Sequence, residues 1–518
     1  MMDDKTAENL YTDKKKVLIF IVCYNAESTI EAVLDRIPQT IWNNEYYNSE
    51  VLIIDDQSFD KTFDRAHNYC RLHPERHITV LYNPRNQGYG GNQKIGYCYA
   101  IKQGFDAVVL LHGDGQYAPE YLDQMIKPII ENEADVVFGS RMINRISALK
   151  GRMPFYKWIG NQILTSIQNK IIKSRLSEFH SGYRAYSIKT LSEIPFEFNS
   201  NYFDFDTDII IQLVDTGKRI KEIPIPTFYG DEICRVNGIR YAIRIIGSCI
   251  RSRLNKIGLY YHPKFDYGRG SNAHYESKFG YASSQQFALD NVKLGATVID
   301  IGCGPGFIAE KLKEKGVQTV SIDLQIQPQV KENSWKYVEA DVEKYDFNDD
   351  FGKVDCVLAL DIIEHLKSPE QFLLTLRQRF SKDNPAIIIT TGNIAFLPMR
   401  LSLLWGSFNY GKRGILDLSH TRLFSFYSLI RTLENAGYEV VKKQGIPAPF
   451  PLAVGRGKMA DFLLWVNKIL ILISKALFSY QIAVMAKPLP TLEHLLDDAH
   501  KAKDKKIQEI EEKSKETI

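Results

Sequence analysis

Residues 107–120, AVVLLHGDGQYAPE, decide how the first half of the chain is read. Ala107 to Leu111 is too apolar to face water on either side, which predicts a central strand of a parallel sheet. The run breaks into His112, Gly113, Asp114, Gly115 and Gln116, and the crevice outside the carboxyl ends of such strands is where open α/β sheets bind ligands. The two glycines let backbone approach a phosphate or an ion. Asp114 and Gln116 both offer hard oxygens, suited to Mg²⁺ or Mn²⁺ shared with a diphosphate. The same residues also suit a plain strand-turn-helix corner in which Asp114 caps the helix near Pro119.

Working outward, strand and helix signals alternate in the manner of a parallel sheet covered on both faces. Upstream, 16–22 reads as a strand, and Ser28 with Glu31 forms an S-x-x-E capping box that opens a helix. Residues 51–54 read as a second strand running into Asp55, Asp56, Gln57, Ser58, Phe59 and Asp60. Helix is predicted over 61–72, 91–102 and 119–131, and strand over 78–81 and 135–138. A carboxylate at Asp55 or Asp56 can accept hydrogen bonds from a nucleobase imide or from ribose hydroxyls. Helix capping is the plainer use of either one.

With 518 residues the chain exceeds what one core usually serves, so two domains are expected. A net charge of +3 gives no argument for nucleic acid. The seven cysteines are scattered without disulfide-like spacing, which fits a reducing compartment. The opening MMDDKTAENLYTDKKK has no apolar signal core, and no clean run of about 18 apolar residues predicts a spanning helix.

Over 15–261 the sequence resembles the family 2 glycosyltransferases, in their dolichol-phosphate mannosyltransferase-like branch. CYNAESTI, IIDDQSFDKT, NQGYGGNQKIGY, LLHGDGQYAPE, FGSR and HSGYRAYS carry the likeness. The resemblance implies a GT-A fold, a nucleotide-diphosphate sugar, a divalent ion and an inverting displacement. It puts Asp55 and Asp56 at the nucleotide, Asp114 and Gln116 at the metal, and Arg141 and Arg184 on phosphate oxygens, a role suited to the guanidinium fork. One departure is that His112 stands where the usual D-x-D has its first Asp. A neutral imidazole can ligate a metal or bond a diphosphate, but one negative charge is missing. Residues 151–176 and 238–261 set apolar residues at helical spacing among cations, which fits helices lying in a membrane interface and also helices packed on the sheet. A polyprenyl phosphate acceptor is implied for this region. A hydroxyl acceptor, as on a glycan, would need a base, for which Asp206 and Asp208 are the candidates; both also suit a helix N-terminus. Residues 222–229, EIPIPTFY, read as an edge strand.

Periodicity is lost over 260–280, and a second alternating pattern follows. Strand 297–301 enters D-I-G-C-G-P-G, helix covers 307–315, and strands 319–322, 336–339 and 356–360 lead to Asp323, Asp341 and Asp361. A glycine turn at a helix N-terminus lets a cofactor sit against backbone, and Asp323 is placed for ribose hydroxyls. VIDIGCGPG, SIDL, EADV and LALDIIEHL make 274–487 similar to the class I S-adenosylmethionine-dependent methyltransferases. That likeness implies that Asp300, Gly302, Gly304 and Gly306 shape the methionine pocket, Asp323 holds the ribose and Asp341 bonds the adenine amino group. Glu364, His365 and His420 are candidates to deprotonate a hydroxyl acceptor, with a structural role the plainer use of each. Two insertions, 393–419 and 450–478, distinguish this half; the first is expected to roof the acceptor site, and the second reads as an interfacial or core helix. A strand over 479–486 closes the sheet. From Thr491 the chain is charge-rich and expected to be solvated.

The expected architecture is α/β with two doubly wound domains: tail 1–14, glycosyltransferase 15–262, linker 263–273, methyltransferase 274–490 and tail 491–518. The expected function is bifunctional, with sugar moving to a polyprenyl phosphate or glycan and methyl to a glycan-related or lipid-linked acceptor. The expected location is cytoplasmic, with peripheral association at a membrane face and no nucleic-acid partner. The alternative is a methyltransferase whose first half, disabled at His112, is a glycan- or lipid-binding scaffold.

Overall fold

The computed structural model describes residues 14–144, 148–149, 151–227, 238–267, 277–492, 494–496 and 503. The chain divides into two compact α/β units.

The first unit is built on strands β1 (Lys15–Cys23), β2 (Tyr47–Asp55), β3 (Ile78–Tyr82), β4 (Ala107–His112), β5 (Val136–Ser140), β6 (Arg184–Ser187) and β7 (Ile220–Pro224). They lie in the order β3-β2-β1-β4-β6-β5-β7, with β6 antiparallel to both neighbours and the other pairings parallel. Helices cover both faces, so Val17–Ile21 of β1 and Ala107–Leu111 of β4 are wholly buried. Cys23 pairs with Asp55 and Val22 with His112, so the ends of β2 and β4 flank the end of β1. At roughly 4.8 Å per strand, this sets the two acidic loops about 10 Å apart on one rim.

One local expectation fails here. The first helix begins at Ile30 with Thr29 at its N-cap, and no side chain caps it, so the Ser28 capping box is absent. The Thr29 hydroxyl instead donates to Gly113 O at 2.6 Å, tying the helix to the loop after β4. The edge strand β7 ends at Pro224, and 228–229 of the predicted strand lie outside the described residues.

The second unit contains β8 (Thr297–Ile301), β9 (Gln318–Asp323), β10 (Lys336–Glu339), β11 (Cys356–Leu360), β12 (Ala386–Gly392), β13 (Tyr438–Ile446) and β14 (Gln481–Pro488), in the order β10-β9-β8-β11-β12-β14-β13. Only β14 runs antiparallel to its neighbours. The insertions fold as helix Leu397–Leu404 after β12, and as Phe450–Val454, Lys458–Ile473 and Lys475–Phe478 between β13 and β14.

The boundary between units differs from the expected one. Leu254–Tyr261 belongs to the second unit and 262–267 to the first. The Tyr480 hydroxyl donates to Ile257 O at 2.8 Å. A Cβ on Gly258 would stand 2.5 Å from Gly414 Cα, so only glycine permits that approach. The start of the expected methyltransferase domain at His274, the tail 1–13 and nearly all of the tail after 492 lie outside the described residues. Among the described residues no helix is long and apolar enough to cross a membrane.

Candidate active sites

The rim of the first sheet is assembled by short polar links between the loops after β1 and β2. Asn25, at φ 53°, donates its amide to Ser58 Oγ at 2.8 Å, and its side-chain oxygen accepts from Phe59 N at 2.9 Å. Asp55 accepts from both the amide and the hydroxyl of Ser58 through Oδ1. Its Oδ2 is buried with no hydrogen-bond partner, and burial raises the carboxyl above the usual aspartate range against the Ser58 bonds. Asp56 is committed otherwise: it accepts from Asn83 Nδ2, Gln87 N and Gly88 N at 2.8–2.9 Å and so fixes the loop that opens the helix Tyr89–Lys102. Of the two predicted nucleotide contacts, only Asp55 keeps an unused oxygen.

Beneath this rim lies a buried polar layer. Tyr89 Oη donates to Asp206 Oδ2 at 3.2 Å and lies 3.4 Å from His112 Nε2. Arg184 is 1% exposed and donates to the carbonyls of Ser181, Phe179 and Asp206, with Asp206 Oδ1 3.5 Å from its guanidinium. Expected on phosphate oxygens, Arg184 is found as the counter-ion of a buried carboxylate. Arg141 is likewise engaged: its guanidinium forks onto buried Glu178 and donates to His180 O at 2.9 Å. Burial opposes the charged form of Glu178, yet Arg141 outweighs it and holds the carboxyl below its usual range.

The two base candidates part company. Burial raises the Asp206 carboxyl despite Arg184 and His112, and its Oδ1 accepts no hydrogen bond. Asp208 is wholly buried and held by Lys264 Nζ at 2.9 Å, by the Ser248 hydroxyl and by Ser200 N, so it is a structural ion pair and not a base. Asp208→Ala would leave Lys264 buried without its partner, and an unfolding loss of about 3–5 kcal/mol is expected. Thermal unfolding of this variant checks the assignment.

A divalent ion has a partial fit. Among the described residues no group of three or more acidic, His or Cys side chains is placed to hold a metal. His112 Nε2 abuts Gly182, where a Cβ would meet it at 2.7 Å, and its ring packs edge-on to Tyr117 and Tyr89. Burial holds this imidazole below its usual pKa. The predicted metal set therefore reduces to Asp114, exposed on the loop and capping Gln116 N at 3.0 Å, and Gln116 itself. Mg²⁺ and Mn²⁺ commonly take one or two protein oxygens and complete their shell with phosphate and water, so this pair fits such an ion and His112 does not.

A cavity of about 660 Å³ lies at the opposite, amino-terminal end of this sheet, lined by Lys15, Asp106 and Asp135 among others. Arg219 pairs with Asp135 and Lys218 with Glu193 there, and the cavity lies away from the motif loops.

In the second unit, Gly302, Gly304 and Gly306 all adopt positive φ (70°, 53° and 83°) in the turn between β8 and the helix Phe307–Glu314. Nothing lies within 4 Å of a Cβ placed on Gly304, so the turn has an open side. Gly304 N donates to Asp323 Oδ2 at 2.8 Å, and Ala340 N to Asp323 O at 2.9 Å, which draws the ends of β8, β9 and β10 together. Asp341 caps Glu343 N and pairs with Lys344 at 3.1 Å. Asp300 is buried with Oδ2 unpartnered, its carboxyl pushed up to about 7 by burial and then by Asp323. An unpartnered buried carboxylate oxygen beside an open glycine turn fits the amino-acid end and ribose of S-adenosylmethionine.

Around the mouth, Asp361 accepts from Thr390 Oγ1, Gln481 Nε2 and Ser284 Oγ at 2.7–3.1 Å. Glu364 is buried with Oε2 unpartnered, and burial raises its carboxyl. The His365 and His420 rings meet edge-on with centroids 4.7 Å apart, and burial followed by His420 holds His365 below its usual pKa. The structure thus brings these two candidates together.

The model of the family described as "Glycosyl transferase family 2" matches residues 18–194, and that described as "Methyltransferase domain" matches 274–443. An undecaprenyl-phosphate mannosyltransferase of Micrococcus luteus is 30% identical over 226 residues, which cover 42% of this chain and 85% of that one. The chain belongs to glycosyl transferase family 2. A UDP-N-acetylglucosamine–dolichyl-phosphate N-acetylglucosaminyltransferase of Methanococcus voltae is 25% identical over 254 residues, covering 47% of this chain and 98% of that one. On the methyltransferase side, a mitochondrial ubiquinone biosynthesis O-methyltransferase of Dictyostelium discoideum is 29% identical over 120 residues, covering 20% of this chain and 37% of that one. The first unit of this family 2 glycosyltransferase has the GT-A fold, and the second is a Rossmann-like methyltransferase domain.

Several residues that shape the glycosyltransferase site have no role in the motif reading: Tyr89, Tyr117, Glu178 and Lys264. Tyr89 lies inside NQGYGGNQKIGY and Glu178 two residues before HSGYRAYS, so the motifs pointed at the right segments. Which carboxylate would neutralise which arginine required the fold.

Proposed function

We propose that the first unit transfers a sugar from a nucleotide-diphosphate sugar to a polyprenyl phosphate, with inversion. The observation that carries the reading is the single rim on which Asp55, with one unpartnered oxygen, and Asp114 stand on either side of the end of β1. Asp55 is suited to the nucleoside, and Asp114 with Gln116 to the diphosphate. A divalent ion there would offset charge on the departing nucleoside diphosphate. An acceptor phosphate oxygen forms the new bond to the anomeric carbon while the bond to the diphosphate breaks, and the electron pair leaves with the nucleotide. A lipid phosphate is already an anion and needs no base; with a glycan hydroxyl, Asp206 takes the proton. Arg184 sets the position of Asp206.

The exposed apolar residues Phe155, Tyr156 and Ile163 on helix Phe155–Ile172, and Ile239 and Ile243 beside Arg240 and Arg244 on helix Gly238–Lys256, support docking of this unit on a membrane face where such an acceptor resides. Nucleotide release measured across a panel of nucleotide sugars, with and without polyprenyl phosphate and Mn²⁺, tests the reading by mass spectrometry. A sugar-phosphate lipid is expected, and binding of glycan without turnover would favour a scaffold.

The second unit, in this proposal, moves a methyl group from S-adenosylmethionine to a glycan-related or lipid-linked acceptor. Asp300 and the glycine turn hold the amino-acid end, Asp323 the ribose and Asp341 the adenine. The cofactor would supply an electrophilic methyl, and the His365–His420 pair is suited to take an acceptor proton. The Asp300 carboxyl sits at about 7, above that of an unfolded aspartate, so its contribution to stability is full at low pH and is lost as pH rises through about 4 to 7. A cofactor ammonium favours the charged carboxylate. Binding at pH 6 is therefore expected to release roughly one proton, read by calorimetry in buffers of different ionisation enthalpy; Asp300→Asn should release none.

A further inference from the structure

The methyltransferase unit carries an apolar surface that its own fold leaves in water. Helix Lys458–Ile473 buries Ala460, Leu464, Asn467 and Ile471. Asn467 anchors it, accepting from Ala448 N at 3.0 Å and donating to Phe478 O at 2.8 Å. The opposite side exposes Met459, Phe462, Trp465, Ile469 and Leu472, with Trp465 at 59% and Leu472 at 83%. Steps of three and four residues place these in one stripe along the helix. The Phe462 and Trp465 rings stack with centroids 6.1 Å apart, so the aromatic part of the stripe is preformed.

The other insertion adds to it. Directly after helix Leu397–Leu404, Trp405 is 82% exposed and Leu404 nearly as much. The base of that helix, Phe396 and Met399, packs in one cluster with Ala448 and against Phe450, the segment that Asn467 holds. Gly392 at the end of β12 and Ile446 at the end of β13 both pair with Gln481 at the start of β14. Both insertions therefore leave the sheet at its carboxyl rim, the rim that carries the glycine turn, Asp361 and Glu364.

Charge decides what kind of partner fits. Arg456, Lys458, Lys468 and Lys475 against Asp461 give 456–476 a net charge of +3, four cations less one anion. Face-to-face pairing of two copies would set these like charges against each other. An anionic lipid surface meets both features: apolar and aromatic side chains enter the interface while the cations lie among the headgroups. With Lys468 in its middle, the 16-residue helix lies in the interface plane and does not cross it.

We propose that helix Lys458–Ile473 and the Trp405 turn dock the methyltransferase unit on an anionic bilayer, so that its acceptor is presented at a lipid surface. The statement about the acceptor rests on the methyl-transfer reading above; the docking does not. Either failure can be told apart, because docking is measured without cofactor.

The test uses the full chain and vesicles of phosphatidylcholine with and without phosphatidylglycerol, carrying brominated acyl chains. The fluorescence lost in Trp465→Phe and Trp405→Phe isolates the signals of those two tryptophans. Both signals should be quenched by brominated anionic vesicles, and binding should weaken by roughly tenfold or more when phosphatidylglycerol is omitted. Ile469→Asp combined with Leu472→Asp, at exposed positions that leave the fold intact, should abolish quenching of Trp465 and weaken vesicle binding. Unquenched Trp465 in bound wild type would overturn the proposal, as would a double variant that binds and quenches like wild type. A concentration-dependent dimer in sedimentation velocity, lost in the double variant and unaccompanied by quenching, would assign the face to a second copy and overturn it equally. Docking with no cofactor-dependent methylation of any lipid-linked acceptor would leave the docking standing and overturn the statement that the acceptor is presented at a lipid surface.

Discussion

Replacing Asp114 by alanine is expected to lower sugar transfer by roughly 10²–10³-fold while leaving methyl transfer to a supplied acceptor unchanged. The size of the effect follows from the composition of the rim. His112 is turned into the polar layer with Tyr89 and Tyr117, so Asp114 is the one carboxylate among the three predicted metal-site residues and faces solvent beside Gln116. Where the resembled D-x-D has two acids, the burden of offsetting the leaving diphosphate falls on one. The structural cost of the substitution is small, a single cap to Gln116 N worth about 1 kcal/mol. Paired kinetics should show the loss in kcat for sugar transfer with an unfolding temperature lowered by no more than about 2–4 °C. Loss of both activities in a folded variant would contradict separate sites.

The mirror experiment carries a comparable effect. Asp323→Ala is expected to weaken S-adenosylmethionine binding by roughly 100-fold or more and to leave sugar transfer intact. Asp323 fills two positions at once. It is proposed to hold the ribose hydroxyls, and it accepts from Gly304 N at 2.8 Å, so its removal strips the glycine turn of the bond that draws β8 toward β9. Asp323→Asn keeps a side-chain oxygen for Gly304 N and should recover part of the affinity. Equal loss in the two variants would mean that the carboxylate's charge matters more than the geometry of the turn. Calorimetry with S-adenosylhomocysteine avoids turnover and reads the affinity directly.

The central strand and the position of both carboxyl rims were legible in the sequence because fully buried parallel strands write themselves as unbroken apolar runs, as in Ala107 to Leu111, whereas the short antiparallel β6 left no such run and was not foreseen. The glycine turn was legible because only glycine tolerates three positive-φ positions in five residues. Charged residues were harder. Arg141, Arg184 and Asp208 lie in or beside the right motifs, yet each is consumed by a partner from another segment: Glu178, Asp206 and Lys264. A motif gives the residue type and the rim, whereas the choice between a ligand contact and a buried ion pair depends on contacts 22 to 56 residues away in sequence. Ser28 failed for a related reason. The S-x-x-E pattern is local, and the hydroxyl of Thr29 is drawn to Gly113 O on another loop.

The reading of the chain as two transferases in one polypeptide is tested most directly by supplying the full-length protein with nucleotide sugar, polyprenyl phosphate, Mn²⁺ and isotopically labelled S-adenosylmethionine, and weighing the lipid-linked product. A lipid that gains a sugar, with Asp114→Ala yielding roughly 10²–10³-fold less and Asp323→Ala yielding sugar with little label, is the predicted result. Nucleotide sugar left intact, or hydrolysed to free sugar whether or not polyprenyl phosphate is present, would contradict it.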